Sequence, residues 1–185
     1  MKFCNQCGVE VESKIPEGDN RERFVCPSCH IVHYQNPLIV TGCVAEWEGK
    51  ILLCRRAIEP RRGFWTVPAG FMENGETVAQ GAARETWEEA LAKVTTTTPL
   101  AIVNVVHAKQ VHMFYRGTMD SADYGVGIES LETRLVEEAD IPWDEIAFPS
   151  VTYAMRRYLE DRAAGVENMH ETEIKWRKPG ATSSA

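Results

Sequence analysis

The 185-residue sequence contains no apolar run approaching the roughly 18 residues that a membrane-crossing helix needs. Its opening, Met1-Lys2-Phe3-Cys4-Asn5, lacks the apolar core of a secretory signal. Positive charge is scarce: 20 Lys and Arg stand against 27 Asp and Glu, a net charge of −7. That balance excludes a general nucleic-acid-coating protein, whose affinity comes from neutralising phosphates with cations. The three absences together predict a soluble, cytoplasmic chain with no DNA and no membrane as partner. Apolar residues are not lacking. At 44% hydrophobic and 25% charged, the chain can bury a core, which excludes extended disorder. No internal repeat is present, and one domain of roughly 130–150 residues beside a small module fits the length.

Six cysteines occur, and with no export signal they are expected as thiols or metal ligands rather than disulfides. Four of them form two C-x2-C pairs, Cys4-Asn-Gln-Cys7 and Cys26-Pro-Ser-Cys29, with 18 residues between. Each such turn lets two thiolates converge on one ion, and two turns complete a closed tetrahedral shell around Zn²⁺. A closed shell leaves no position for substrate, so this zinc is structural. A redox-active C-x2-C would explain one pair, not two at ribbon spacing. Gly8 and Pro27 suit the tight knuckles. His30 and His33 are expected as packed imidazoles, since four ligands are already at hand. Residues 1–36 carry four Lys and Arg against five Asp and Glu, and zinc with four thiolates adds two further negative charges. Such a module serves as scaffold or interface, not as a phosphate trap, and needs its metal to hold a core. Tyr34-Gln35-Asn36-Pro37 is a rigid connector, with Pro37 keeping Asn36 out of helical geometry. The division expected is therefore a zinc ribbon over 1–36, a main domain over 37–166, and a polar, loosely ordered tail over 167–185.

In the main domain, residues 38–47 and 51–55 read as strands joined by a turn at Glu48-Gly49-Lys50. Cys43 and Cys54 fall inside them as small buried apolar residues. Residues 61–75 form loops around Trp65-Thr66-Val67-Pro68, with Trp65 and Phe71 assigned to the core. Further strands are expected at about 100–106, 110–118 and 129–136, with apolar groups on both faces, as in a sheet covered on both sides. One helix spans about 78–94, with Thr77 and Gln80 as a capping box. A second spans about 151–164, capped by Ser150, ended by Gly165, and apolar along Val151, Ala154, Met155, Tyr158 and Leu159. Asp140 to Ile146 add a short turn.

The first helix carries the chemistry. At about 100° per residue, Glu85, Glu88 and Glu89 share an arc of about 100°, opposite Ala79, Ala83, Trp87, Ala90 and Leu91. Taken alone, this is a solvated acidic face, with Arg84 pairing Glu88 and Lys93 pairing Glu89. The upstream spacing says otherwise. Gly70 is followed after five residues by Glu76, after seven more by Arg84-Glu85, and after two more by Glu88-Glu89.

That stretch, Gly70-Phe-Met-Glu-Asn-Gly-Glu76-Thr-Val-Ala-Gln-Gly-Ala-Ala-Arg84-Glu85-Thr-Trp-Glu88-Glu89, resembles the Nudix box, G-x5-E-x7-R-E-U-x-E-E-x-G-U with U a bulky aliphatic. All six glycine and charged positions up to Glu89 match. Thr86 stands at an aliphatic position, and Leu91-Ala92 stand where the pattern has glycine and an aliphatic residue. With the ribbon ahead of it, the chain is similar over about residues 3–160 to zinc-ribbon Nudix hydrolases, the group acting on NADH, FAD or ADP-ribose. The resemblance implies an α/β/α sandwich around a mixed sheet, and hydrolysis of a nucleoside diphosphate linked to another group. It implies Glu85 and Glu89 as ligands of Mg²⁺ or Mn²⁺, Glu88 as a further ligand or the group orienting water, and the Gly70 carbonyl as another donor. Arg84 and Glu76 become a structural ion pair. Glu129 resembles a downstream glutamate that binds metal or acts as base, with Glu132 second. Arg55, Arg56, Arg61 and Arg62 are candidates to grip phosphate or stack on a base. Homodimerisation is a further family-level implication.

The physical reading agrees. A pyrophosphate is multiply anionic and so is this protein, so hard divalent ions must bridge carboxylates and phosphate oxygens. NADH pyrophosphatases carry Ser-Gln-Pro-Trp-Pro-Phe-Pro after the box, where this chain has Thr96-Thr-Thr-Pro-Leu-Ala-Ile102. ADP-ribose hydrolases usually carry a proline about fifteen residues beyond the box; this chain has none there, and His107 lies near that place. The substrate expected is a small nucleotide, FAD, ADP-ribose or a related dinucleotide, cleaved to a nucleoside monophosphate. Two other readings stand beside it: a non-catalytic nucleotide-sensing or zinc-ribbon interaction module, and removal of a nucleotide cap from RNA. The intact carboxylates weigh against the first and the acidic ribbon against the second.

Overall fold

The computed structural model describes residues 1–175. They divide into two compact units, Met1–Pro37 and the remainder from Leu38. The first unit holds three short antiparallel strands in the order β1 (Glu12–Lys14), β2 (Arg23–Val25) and β3 (Val32–His33). Its two knuckles close in the same way. The Gly8 amide donates to Cys4 O at 2.9 Å and the His30 amide to Cys26 O at 3.0 Å. Both residues sit in the left-handed region, at φ 75 and φ 61. His30 thus serves the turn through its backbone, and His33 is buried.

The second unit is a mixed sheet. Along it run β10 (Ser130–Val136), β5 (Lys50–Arg56), β4 (Leu38–Trp47), β9 (Gln110–Met119), β8 (Val94–Val105) and β11 (His170–Glu173). Two short strands lie off this path: β6 (Trp65–Thr66) pairs with β5, and β7 (Ala69–Phe71) pairs with β4. β4 runs parallel to β9, β11 runs parallel to β8, and the other pairs are antiparallel. The strands alternate between two cores. Val44, Ile51 and Leu53 join Val103, Phe114 and the face of α2 (Pro149–Ala164) formed by Val151, Ala154, Met155, Tyr158 and Leu159. Cys43, Ala45, Leu52 and Cys54 face the other way, toward Ala82, Ala90 and Ala92 at α1 (Val78–Ala90) and just beyond it. One helix covers each face, the sandwich that the alternating apolar strands imply.

Several boundaries differ from the sequence reading. α1 stops at Ala90, because Leu91 turns left-handed and the β-branched run Val94–Thr98 extends into β8. The Thr77–Gln80 capping box is present. Ser150 does not cap α2. Phe148 is the N-cap residue and Pro149 takes the first helical position, while the Ser150 hydroxyl bonds His112 Nδ1 at 2.9 Å. Gly165 ends α2 at φ 66. Part of the expected loose tail is ordered: His170–Glu173 add to the sheet edge as β11. Asp161 on α2 anchors that edge, bonding Arg116 and His170, while Arg116 also bonds the Asn168 carbonyl. The rest of the tail, 176–185, lies outside the described residues. Phe71, assigned to the core, is exposed, whereas Trp65 is buried.

Candidate functional site

The ribbon brings its four cysteine sulfurs within 4.8 Å of one another. The separations Cys4–Cys29, Cys7–Cys26 and Cys7–Cys29 are 3.6, 3.4 and 3.6 Å. A tetrahedron with Zn–S bonds of about 2.3 Å has edges of about 3.8 Å, so the donor set fits one Zn²⁺. Backbone amides already point at the sulfurs, Gln6 N–H at Cys4 and Cys29 N–H at Cys26. The Cys29 and Ser28 amides hold the Cys26 thiol down to about 6.

The box residues assemble on α1, β7 and the turn between them. Glu76 and Arg84 form a two-pronged pair: Arg84 Nε donates to Glu76 Oε2 at 3.0 Å and Nη2 to Oε1 at 2.9 Å. The Glu73 amide donates to the same carboxylate at 2.8 Å, and Arg84 Nη2 reaches Phe71 O at 3.1 Å. The Arg84 bonds hold Glu76 at about 2. Arg84 does more than brace the turn: Nη1 donates to Glu85 at 2.8 Å and to Glu88 at 3.0 Å. Lys93, expected to pair with Glu89, instead lies over the Trp87 ring at 5.9 Å.

Only part of the acidic face is solvated: Glu88 is exposed. Glu85 and Glu89 are 8% and 7% exposed, while Trp87 and Leu91, assigned to the apolar face, are 48% and 44% exposed. The helix packs instead through Gly81, Ala82, Thr86 and Ala90. Thr86, at the aliphatic position of the pattern, is fully buried, and its hydroxyl donates to Ala82 O at 2.8 Å. Gly70 makes room for Glu85: a Cβ on Gly70 would stand 2.4 Å from that carboxylate. Burial raises the Glu85 carboxyl above its ordinary range, against the pull of Arg84. Burial and then the Glu85 charge push Glu89 up to about 8, against the pull of Arg56 and the Ala69 amide. Two buried carboxylates, of which only Glu85 bonds an arginine among the described residues, fit a hard divalent cation as a donor set.

These groups line one cleft of about 1490 Å³, larger than the range of about 300–1,000 Å³ usual for drug-sized ligands. Gly70, Arg84, Glu85, Glu88, Glu89, Glu129, Arg56 and Arg61 all face it. Arg55 and Glu132 do not; they pair with each other at 3.8 Å, and Arg55 Nε donates to Gly63 O. Arg62 is exposed away from the cleft. Sequence reasoning missed three further residues of the lining, His112, Phe148 and Ser150; the Arg56 guanidinium lies 5.0 Å from the Phe148 ring. It also missed Gly125 and Gly127 ahead of Glu129. No period or spacing marks either group.

Two family models match the chain: the Nudix N-terminal zinc ribbon over residues 2–35 and the NUDIX domain over 36–163. A NUDIX hydrolase structure from Nitrosomonas europaea is 50% identical, covers 94% of this chain and all of its own, and superposes with a TM-score of 0.89. The NAD-capped RNA hydrolase NudC of Edwardsiella ictaluri is 30% identical over 92% of this chain. This chain spans 63% of that protein and 34% of the Vibrio vulnificus NudC. An ADP-ribose pyrophosphatase from Streptococcus suis, 18% identical, covers 74% of this chain and all of its own with a TM-score of 0.61, a likeness of fold. The box at Gly70–Glu89, the sandwich around it and the model match across most of the chain agree: the protein belongs to the Nudix family and carries that family's N-terminal zinc ribbon.

Proposed function

We propose that the chain hydrolyses the pyrophosphate bond of a nucleoside diphosphate joined to a second moiety, such as FAD or ADP-ribose, with Mg²⁺ or Mn²⁺. The observation that carries this reading is the buried Glu85–Glu89 pair on the floor of a cleft in an acidic protein. An anionic substrate is repelled from such a floor unless cations lie between. A bound divalent ion supplies charge neutralisation at phosphate and a lowered pKa for water.

The chain's own groups do the rest. Glu85 and Glu89, with the Gly70 carbonyl, hold the cation. Arg84 keeps Glu85 and Glu88 aimed, and Glu88 orients the water. Glu129, exposed at the cleft and outside any ion pair among the described residues, takes the water's proton. The water oxygen bonds to one phosphorus, the bridging P–O bond on its far side breaks, and two monophosphates leave. Arg56 and Arg61 contact the remainder of the substrate.

The NudC relatives support a second substrate form, an RNA capped with NAD, which contains the same kind of linkage. An RNA body is held by neutralising its phosphates, and four cations against five acids in the ribbon are poorly suited to that. The small dinucleotide is therefore the favoured reading. A panel of FAD, ADP-ribose, NADH, dinucleoside polyphosphates and NAD-capped RNA, with products identified by mass, tests both. The expected result is nucleoside monophosphate released only with added divalent ion, and turnover lost by several orders of magnitude in Glu89→Gln at unchanged melting temperature. Undiminished turnover in folded Glu89→Gln refutes the reading.

A further inference from the structure

Helix α1 ends with a leucine where the Nudix pattern has glycine. Leu91 adopts φ 50, ψ 26, a left-handed conformation unfavourable to any residue with a Cβ, and its amide donates to Trp87 O. The side chain has a use there. It lies on Gly125, where an added Cβ would stand 3.0 Å from Leu91 Cδ1.

Around this contact the loop after β9 closes on the helix end. The Gly125 amide donates to Ala90 O at 2.7 Å and the Gly127 amide to Glu89 O at 3.0 Å. These are carbonyls of the last turn, which have no partner inside a helix. Gly127 is buried, and a Cβ there would come within 1.8 Å of Glu88 O. The loop is fixed on its far side as well. Thr133 Oγ1 donates to Gly125 O at 2.8 Å, and the Ser130 amide donates to Gly127 O at 3.1 Å. Two residues beyond Gly127 stands Glu129, whose carbonyl accepts the Ala57 amide at 2.8 Å and which lines the same cleft as Glu85 and Glu89.

We propose that Leu91, Gly125 and Gly127 form a clasp that positions Glu129 against Glu85 and Glu89, making the helix-borne and loop-borne carboxylates one rigid body. The three are positioning residues, acting through Glu129, and the proposal rests on Glu129 as the proton acceptor of the hydrolysis described above. It accounts for the departure from the family pattern: glycine at 91 would relax the backbone but leave the loop uncovered.

Leu91→Gly is the discriminating variant, because a structural role and a positioning role move it in different directions. Relief of the left-handed strain keeps or raises the melting temperature. Loss of the clasp lowers kcat about ten- to a hundredfold, the scale of a displaced catalytic group, with KM little changed. The same substitution is then made in the Glu129→Gln background, with Gly127→Ala run in parallel where it folds. The expected result is that Leu91→Gly costs nothing further once Glu129→Gln is present. An equal factor in both backgrounds, or wild-type kcat in Leu91→Gly, overturns the clasp. If Glu129→Gln alone is fully active while Glu89→Gln is dead, the clasp falls and the hydrolase reading stands. If both are fully active, that reading falls with it.

Discussion

Acid should weaken the main domain through His112, by an amount the structure lets one work out. The ring lies on β9, with Nε2 2.9 Å from Gln110 Oε1 and Nδ1 2.9 Å from Ser150 Oγ. Since the amide oxygen can only accept, Nε2 carries the proton and Nδ1 accepts the Ser150 hydroxyl. The neutral ring is fully bonded, and burial pushes its pKa down from 6.5 to about 4. Above pH 6.5 the ring is neutral in folded and unfolded chains alike, and stability does not depend on it. As pH falls from 6.5 to about 4, the unfolded chain binds a proton that the folded chain refuses, and stability drops by about 1.4 kcal/mol per unit. Below about 4 both forms are protonated and the contribution levels off. The whole drop is at most about 3 kcal/mol, which solvent screening of the part-buried ring reduces, and more than half of it has gone by pH 5. Urea unfolding of wild type and His112→Gln between pH 7.5 and pH 4.5 measures it. The difference between the two curves isolates the ring from the acidic groups that titrate in the same range. The variant should lose less stability than wild type by that amount, and two parallel curves refute the reasoning.

Two further outcomes follow from the metal sites. Chelating zinc should expose residues 1–37 to limited proteolysis while the domain from Leu38 keeps its melting temperature, because the ribbon's three short strands give it little core without the ion; a ribbon that resists protease when zinc-free refutes this. Gly70→Ala should lower Mn²⁺ affinity in titration calorimetry and lower turnover with the fold retained, since the new Cβ would lie 2.4 Å from the Glu85 carboxylate; unaltered affinity counts against Glu85 as ligand.

The features readable in the sequence were those encoded by spacing or period. The two cysteine pairs, the box from Gly70 to Glu89, the Thr77–Gln80 cap and the alternating strands β4 and β5 each carry their information within a short window. What the sequence hid depends on partners distant along the chain. His170-Glu171-Thr172-Glu173 is polar and reads as tail, yet it becomes β11 beside β8, with Asp161 bonding both His170 and Arg116. Ser150 stands where a cap belongs, but His112 takes its hydroxyl from 38 residues away.

The helical wheel of α1 failed in a more instructive way. It set carboxylates against apolar residues and assigned burial to the apolar side. The structure buries Glu85 and Glu89 and exposes Trp87 and Leu91. An apolar pattern predicts burial when hydrophobic transfer decides the orientation of a helix. Here small residues decide it: Gly81, Ala82 and Ala90 let the helix lie close to the sheet, and the carboxylates beside them are carried into the cleft. Burying carboxylates is costly, and among the described residues only Glu85 of this pair bonds an arginine, so the orientation supports the cation site proposed for the cleft. The wheel went wrong at the residues where the site overrides the folding rule. Leu91 breaks a local rule in the same helix, taking a left-handed conformation at its end, and its side chain lies on Gly125, four residues ahead of Glu129. In this chain the departures from hydrophobic and conformational preference lie beside the groups that would hold the cation and the water, and that coincidence points from fold to chemistry.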